Sequence, residues 1–232
     1  MRIKIIYAFL VLVTILGNVV SVLESVSWWK QTSQLVFILL LFSLFFGKIS
    51  LGRSNFTGFL VICILANITS FFGDAWFFTE VTLGLWLISF VFLVMEAIKF
   101  TQYNRRNRYL HLYFFVVVAI YTYLFSMHIL EIRDSLSNQV LFPMYLIYYV
   151  NLLILGVTAL IYYLNSFSKK AVFFSCLALA FILSDVLRDM GIFYFRDLSV
   201  EIAGSLIRMA AIALAFLFFI TREKKLRLLN LI

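Results

Sequence analysis

The residues Glu80–Lys99 read EVTLGLWLISFVFLVMEAIK, and this stretch decides the fold. It is twenty residues long, and its charged residues, Glu80, Glu96 and Lys99, all lie close to one end or the other. A helix needs about 20 predominantly apolar residues to cross the hydrocarbon core of a bilayer. The stretch is therefore predicted to be a membrane-spanning α-helix.

Stretches of the same kind lie on both sides of it, although the second along the chain is short. The first begins with a basic segment like that of a signal peptide. It lacks a small-residue cleavage site and leads into another apolar run, so a retained helix is favoured. Eight spans are predicted in all, at 4–23, 33–48, 57–78, 80–99, 109–130, 139–164, 170–190 and 200–221.

The composition of the chain requires lipid as the solvent for much of its surface. Hydrophobic residues make up 64% of the 232 residues and charged residues 13%. Soluble domains contain roughly 45–50% apolar and about 25% charged residues. A soluble globule of this length could not bury so much apolar surface. We predict an all-α polytopic transmembrane bundle in a single membrane domain, 1–232.

The basic residues predict the orientation of the bundle. With the N-terminus inside, 14 of the 19 lysines and arginines fall on the cytoplasmic side and four fall outside. This asymmetry follows the positive-inside rule, so we predict that both ends are cytoplasmic. Topology also explains the net charge of +8 without nucleic-acid binding. In a bacterial source the inner membrane is expected, because these helices cannot form an outer-membrane barrel.

The third predicted helix carries a polar stripe. Asn67, Ser70 and Asp74 are spaced i, i+3 and i+7, which places them on one face of a helix. Ionisable residues inside a spanning helix are costly and often mark a functional site. Asp74 is therefore a candidate site residue, although it would also be satisfied by water at the outer interface.

Helices seven and eight contribute the other intramembrane charges. Asp185 is followed by Arg188 at i+3 and Asp189 at i+4, so a local Asp185–Arg188 pair is one interpretation. Arg208 lies about 12 Å into the eighth predicted helix, at the level of Asp185. We predict an Asp185–Arg208 pair with a further role in phosphate binding. The alternative is an arginine that extends to the interface.

Other polar residues have simpler interpretations. Glu96 is predicted to form a solvated interfacial pair with Lys99 at the cytoplasmic end of helix four. The two cysteines are predicted to be packing residues, and no metal site is expected from two histidines. An outer-half cavity beside the aspartates could be lined by polar residues of helices five and six, namely Tyr145, Tyr148, Tyr149, Asn151 and His128. Interfacial aromatic belts explain most of these tyrosines equally well.

At these residues the chain resembles the YhhN-like family, the lysoplasmalogenases, which are eight-helix membrane proteins. The family has a Gly-Asp late in helix three before a fourth helix with Gly and Phe. It also has an apolar run that ends in Ser-Asp in helix seven. The corresponding residues here are Gly73–Asp74, Gly84–Trp86 with Phe90, and Phe173–Asp185.

The chain departs from the family pattern at two places. The family often has a polar His or Gln in helix four where this chain has Phe90. Its last helix usually carries a Tyr-rich segment that ends in Ala-Gln, whereas this chain reads Leu206–Ala211 there. Both departures bear on catalysis more than on the fold.

The resemblance implies hydrolysis of the vinyl-ether bond of a lysoplasmalogen to a fatty aldehyde and a glycerophospho-amine. This reaction begins with protonation of the β-carbon, which requires a carboxylic acid that stays protonated near neutral pH. A second carboxylate would stabilise the oxocarbenium ion and activate water. Pairing with an arginine would favour ionised Asp185, which makes Asp74 the acid.

The resemblance also implies a lysophospholipid as the partner and no cofactor. Arg188 or Arg208 would hold the lipid phosphate, with Asn67 and Tyr148 as further substrate-binding residues. Two other functions remain open from the residues. The same fold could bind lipid or act as a regulatory protein without catalysis. A small transporter could use Asp185 and Arg208, although no internal duplication is visible.

Overall fold

The computed structural model describes residues 2–24, 26–48, 54–73, 77–101, 108–133, 141–166, 168–194 and 197–223. Within these ranges the chain is all-α, as predicted, and contains no β-strand. Eight α-helices correspond one to one with the eight predicted spans. They are α1 (Arg2–Leu23), α2 (Ser27–Phe45), α3 (Ser54–Ser70), α4 (Phe78–Phe100), α5 (Arg108–Arg133), α6 (Leu141–Ser166), α7 (Lys169–Asp189) and α8 (Leu198–Ile220).

Two short turns extend these helices. The 3₁₀ turn Phe46–Lys48 follows α2, and the π-helical turn Met190–Tyr194 follows α7. Within the part of the chain that the structure describes, five helices are long and apolar enough to cross a membrane, namely α1, α4, α6, α8, and α7 together with its π turn. Two shorter apolar helical segments, Ser54–Ser70 and Phe115–Glu131, accompany them.

Aromatic side chains fill the interior of the bundle. Phe174 packs against Phe218 with ring centroids 4.9 Å apart, and Phe90 packs against Phe181 at 5.0 Å. Aromatic pairs at this spacing add to the stabilisation that burial provides. The closest helix neighbours are α7 with α8, α3 with α4, α4 with α6, and α1 with α2, whereas α5 packs mainly on α6.

The outer surface of the bundle is apolar. Large side chains such as Phe9, Phe115 and Tyr123 are more than 60% exposed on α1 and α5. A surface like this is unfavourable in water and is suited to contact with lipid acyl chains. The exposed apolar surface and the long apolar helices therefore both indicate an integral membrane protein.

The structure corrects the ends of two predicted helices. Helix α2 starts at Ser27 rather than at residue 33, so its first turns include the polar residues Lys30 and Gln31. Helix α3 ends at Ser70 rather than at residue 78, and Gly73 has a φ of 55°. This left-handed conformation favours glycine because it has no Cβ atom.

Candidate functional site

A close approach of α7 and α8 positions the charged residues. The hydroxyl of Ser184 donates a hydrogen bond of 3.0 Å to the carbonyl of Gly204. A Cβ atom at Gly204 would lie 3.3 Å from the Cβ of Leu187, so a larger residue would separate the helices. Asp185 follows Ser184 on α7, and Arg208 lies one helical turn after Gly204 on α8. The contact therefore brings these two side chains to the same level.

Asp185 is the centre of a buried charge network. Its Oδ1 atom lies 2.5 Å from Nη1 of Arg208 and 3.1 Å from Nη1 of Arg188. The hydroxyl of Tyr148 donates to its Oδ2 atom at 2.6 Å. Asp185 is 0% exposed, so both carboxylate oxygens are held by protein groups away from solvent. The predicted Asp185–Arg208 pair and the alternative Asp185–Arg188 pair are both present.

A second buried carboxylate extends this network toward α5. Oδ1 of Asp189 accepts a 3.0 Å hydrogen bond from Nε of Arg188, and its Oδ2 accepts one from the hydroxyl of Tyr149. His128 of α5 lies with Nε2 2.9 Å from the Tyr149 hydroxyl and 3.6 Å from Oδ2 of Asp189. Three helices are thereby joined through polar side chains in the apolar bundle.

The guanidinium group of Arg208 lies over an aromatic face. Its Cζ atom is 3.9 Å from the centroid of Trp86 and 5.5 Å from that of Phe181. Contacts of this kind between a guanidinium and an aromatic ring are favourable when water is largely excluded. Phe90 is fully buried against Trp86, Phe181 and Tyr148.

A polar cavity of about 700 Å³ lies beside the two arginines. Its wall includes Trp86, Arg188 and Arg208, together with residues of α2, α3 and α8. With α8 beginning at Leu198, Arg208 lies about 15 Å along that helix, which is near the middle of its 23 residues. Polar residues on the wall include Lys30, Gln31, Gln34, Asn67, Ser70, Glu201 and Ser205.

Charged residues on the more exposed part of the cavity wall have partners close to them. Nζ of Lys30 lies 2.7 Å from Oε1 of Glu201 and joins α2 to α8. Asp197, also on the wall, caps α8 by accepting hydrogen bonds from the amide and hydroxyl of Ser199. These hydrogen bonds lower the pKa of Asp197 from its ordinary value. This part of the wall therefore carries both signs of charge.

The structure brings together four of the residues that the sequence indicated. Asp185, Arg188, Arg208 and Tyr148 form one network, with both arginines on the cavity wall. Asn67 lies on the same wall, where its Nδ2 donates to the carbonyl of Cys63 at 2.8 Å.

Asp74 lies outside the described residues. Helix α3 ends at Ser70 and a turn over 71–73 follows it, so the predicted polar face of α3 is described only as far as Ser70. Asn67 and Ser70 remain on one face and line the cavity.

The interpretation of Glu96 as a solvated residue is wrong. Glu96 is 3% exposed, and Nζ of Lys99 lies 3.4 Å from its Oε2 atom. It also accepts a hydrogen bond from Nδ2 of Asn55 at 3.1 Å and lies 3.8 Å from Nζ of buried Lys170. The packing of α3, α4 and α7 around this residue removes it from solvent, which the sequence of α4 alone does not indicate.

The three tyrosines of α6 that were predicted to line an outer cavity, Tyr145, Tyr148 and Tyr149, pack together beside the charge network and do not line the polar cavity. Tyr148 and Tyr149 contact the aspartates, whereas Asn151 donates to the carbonyl of Leu87 on α4 at 2.8 Å. A separate apolar cavity of about 430 Å³ lies between α5, α6 and α7. Among the described residues, no group of three or more His, Cys, Asp or Glu side chains could hold a metal ion.

Sequence reasoning did not identify the contribution of α2 and α4 to the cavity. Gln31 and Gln34 line it from α2, and Trp86 lines it from α4. The two glutamines are three residues apart, so they share one face of a helix. Because α2 begins at Ser27, both belong to that helix and their spacing indicates a common polar face. Trp86 appears in sequence as one apolar residue among many, and only the packing of α8 places it against Arg208.

The fold and the cavity define a polytopic α-helical integral membrane protein with a polar cavity beside a buried charge network. Comparison with protein-family models, with curated proteins and with solved structures finds no match to this chain.

Proposed function

We propose that this protein binds a lysophospholipid in the polar cavity, with the lipid phosphate against Arg188 and Arg208. The observation that carries this proposal is the position of Arg188 and Arg208 on the wall of one cavity within the helical bundle. Guanidinium groups bind phosphate oxygens through directed, charge-assisted hydrogen bonds.

The aspartates support this role by holding the arginines in place. Asp185 contacts both guanidinium groups, and Asp189 contacts Nε of Arg188. Two arginines and two aspartates make the network neutral, so it can be buried without a net charge. Because the side chains are held before a ligand arrives, binding would cost little conformational entropy.

The experiment measures binding of a lysophosphatidylcholine to the purified protein by native mass spectrometry. We expect Arg188→Gln to weaken binding by about tenfold to a hundredfold, because a charge-assisted hydrogen bond is lost. A monoacylglycerol with the same acyl chain should bind wild type and variant equally. Lys99→Gln is the matched control, since Lys99 is an exposed, ion-paired cation outside the cavity. Unchanged lysophosphatidylcholine binding by Arg188→Gln would refute the proposal.

A second candidate function is hydrolysis of the vinyl-ether bond of a lysoplasmalogen, as the YhhN-like resemblance implies. Its support is that Asn67 and Ser70, at the end of the helix before Gly73–Asp74, line the same cavity as the arginines. In this proposal Asp74 is the acid, and Asp185 is the carboxylate that holds the arginines. The buried position of Asp185 suits orientation of the arginines better than activation of water.

Release of fatty aldehyde from a lysoplasmalogen tests the catalytic proposal. We expect Asp74→Asn to abolish release while lysophosphatidylcholine binding persists. If the wild-type protein binds the lipid and releases no aldehyde, the catalytic proposal is refuted and the lipid-binding function stands.

We also propose that all eight helices cross the membrane and that both ends lie in the cytoplasm. The support is the distribution of lysines and arginines between alternate predicted loops. In a bacterium the membrane would be the inner one. Reporter fusions at each end test the orientation, and an external signal from either end would contradict it.

A further inference from the structure

Two buried side-chain atoms among the described residues have no hydrogen-bond partner, and both belong to residues on the wall of the polar cavity. They are Oε1 of Gln31 and Nη2 of Arg188. Most buried polar atoms in proteins have a partner, so each exception calls for a specific cause. Each atom is almost inaccessible to a water-sized group, so a ligand of this cavity would supply both partners once the side chains that cover them move aside.

The chemistry of each atom defines what the ligand must offer. Nη2 of Arg188 only donates, so it requires an acceptor such as a phosphate oxygen. Nε2 of Gln31 lies 2.5 Å from the carbonyl oxygen of Ser70, which can only accept. This contact fixes the orientation of the amide, and Oε1 is therefore the atom that requires a donor.

A neutral hydroxyl suits Oε1 of Gln31 better than an ammonium group does. The amide oxygen is uncharged, whereas Asp197 and Glu201 on the same wall offer carboxylates to a cation. A lysophospholipid carries a free hydroxyl on its glycerol, close in the molecule to its phosphate. A phospholipid with two acyl chains has an ester at that position and no donor.

We propose that Gln31 is a specificity-determining residue that accepts a hydrogen bond from the free glycerol hydroxyl of a single-chain phospholipid. This inference rests on the proposed binding of the lipid phosphate by Arg188 and Arg208. It adds a second polar contact on α2, opposite the contacts on α7 and α8. The cavity then recognises two features of its ligand, the phosphate anion and a hydroxyl that donates a hydrogen bond.

Three probes with 16-carbon chains separate the sources of the donor. Lysophosphatidylcholine has the glycerol hydroxyl and no head-group donor. Hexadecylphosphocholine has neither, and hexadecylphosphoethanolamine has a donor in its head group alone. We expect the wild-type protein to bind lysophosphatidylcholine on the order of tenfold more tightly than either of the other two, as the loss of one hydrogen bond to a buried acceptor predicts.

The variant Gln31→Met tests whether the preference for lysophosphatidylcholine depends on Gln31. We expect it to bind lysophosphatidylcholine about as weakly as hexadecylphosphocholine, with binding of hexadecylphosphocholine retained, which also reports that the cavity has folded. Gln34→Met is the matched control, because Gln34 lies on the same wall and its Nε2 atom already donates to Oγ of Ser205 at 3.2 Å. It should keep the preference.

The outcomes separate this inference from the function on which it rests. Equal binding of all three probes by wild type would overturn the role of Gln31 and leave phosphate binding intact. Tight binding of hexadecylphosphoethanolamine would overturn the glycerol hydroxyl as the donor. A preference that survives in Gln31→Met would overturn the assignment to this residue. Failure of all three probes to bind would refute the proposed function itself.

Discussion

The pairing of Asp185 with Arg208 can be measured by a double-mutant cycle. The perturbations are Asp185→Asn, Arg208→Met and the two together. Removing one partner of a buried ion pair typically costs about 3–5 kcal/mol, because the other charge is left buried. Both partners here are almost fully buried, at 0% and 8% exposure.

The surrounding contacts place each single substitution near the lower end of that range. After Arg208→Met, Asp185 keeps Arg188 at 3.1 Å and Tyr148 at 2.6 Å. After Asp185→Asn, Arg208 keeps its contact with Trp86 at 3.9 Å and faces the cavity. We therefore expect about 3 kcal/mol for each single variant. The double variant removes both charges and should also cost about 3 kcal/mol, which gives a coupling of about 3 kcal/mol.

The assay is reversible unfolding of the detergent-solubilised protein, followed by circular dichroism as denaturing detergent is added. Coupling well above 1 kcal/mol, with the double variant no less stable than the single ones, is the expected result. Additive effects within about 0.5 kcal/mol would refute the reasoning, since they would mean that the two charges do not stabilise each other.

Three further outcomes follow from other parts of the bundle. Glu96→Gln removes the carboxylate that lies 3.8 Å from Nζ of buried Lys170, so we expect a loss of about 3 kcal/mol. The double variant Glu96→Gln with Lys170→Met should partly restore stability in the same unfolding assay. Gly204→Ala should destabilise by about 1–3 kcal/mol through the tight contact of α7 with α8, whereas Gly17→Ala, in open space, should not; equal effects would contradict the packing argument. The hydrogen bonds from Ser199 lower the pKa of Asp197 from 3.8, so its ionised form stabilises the folded protein. This contribution to the free energy of unfolding should be present above pH 3.8 and lost as the pH falls through the lowered pKa. Asp197→Asn should remove this acid dependence from the unfolding midpoint.

The helix pattern was predictable because spanning a bilayer requires long apolar runs. Each predicted span corresponds to a helix, and the ends of α4, α6 and α7 agree within two or three residues. The errors fall where polar residues lie inside a helix or apolar residues lie outside one. Lys30 and Gln31 belong to α2 because they face a cavity, and Phe71 and Phe72 follow α3 as a turn.

The candidate site was partly predictable for the same reason. Charged residues are so costly in lipid that Asp185 and Arg208 stand out in an apolar sequence, and their depth suggests a pair. Burial of Glu96 was not predictable, because it depends on Asn55 and Lys170 from two other helices. Its position near a helix end is equally compatible with solvent.

The sequence by itself determined that this chain is a bundle of apolar helices and that a few charges must be paired within it. Apolar length and the cost of unpaired charge are local properties that each segment carries alone. Only the tertiary structure decided that Gln31, Trp86 and Arg188 share a cavity and that Asp185 is sealed behind it. Those relations depend on how close neighbouring helices approach, which a contact such as Ser184 with Gly204 sets across the fold.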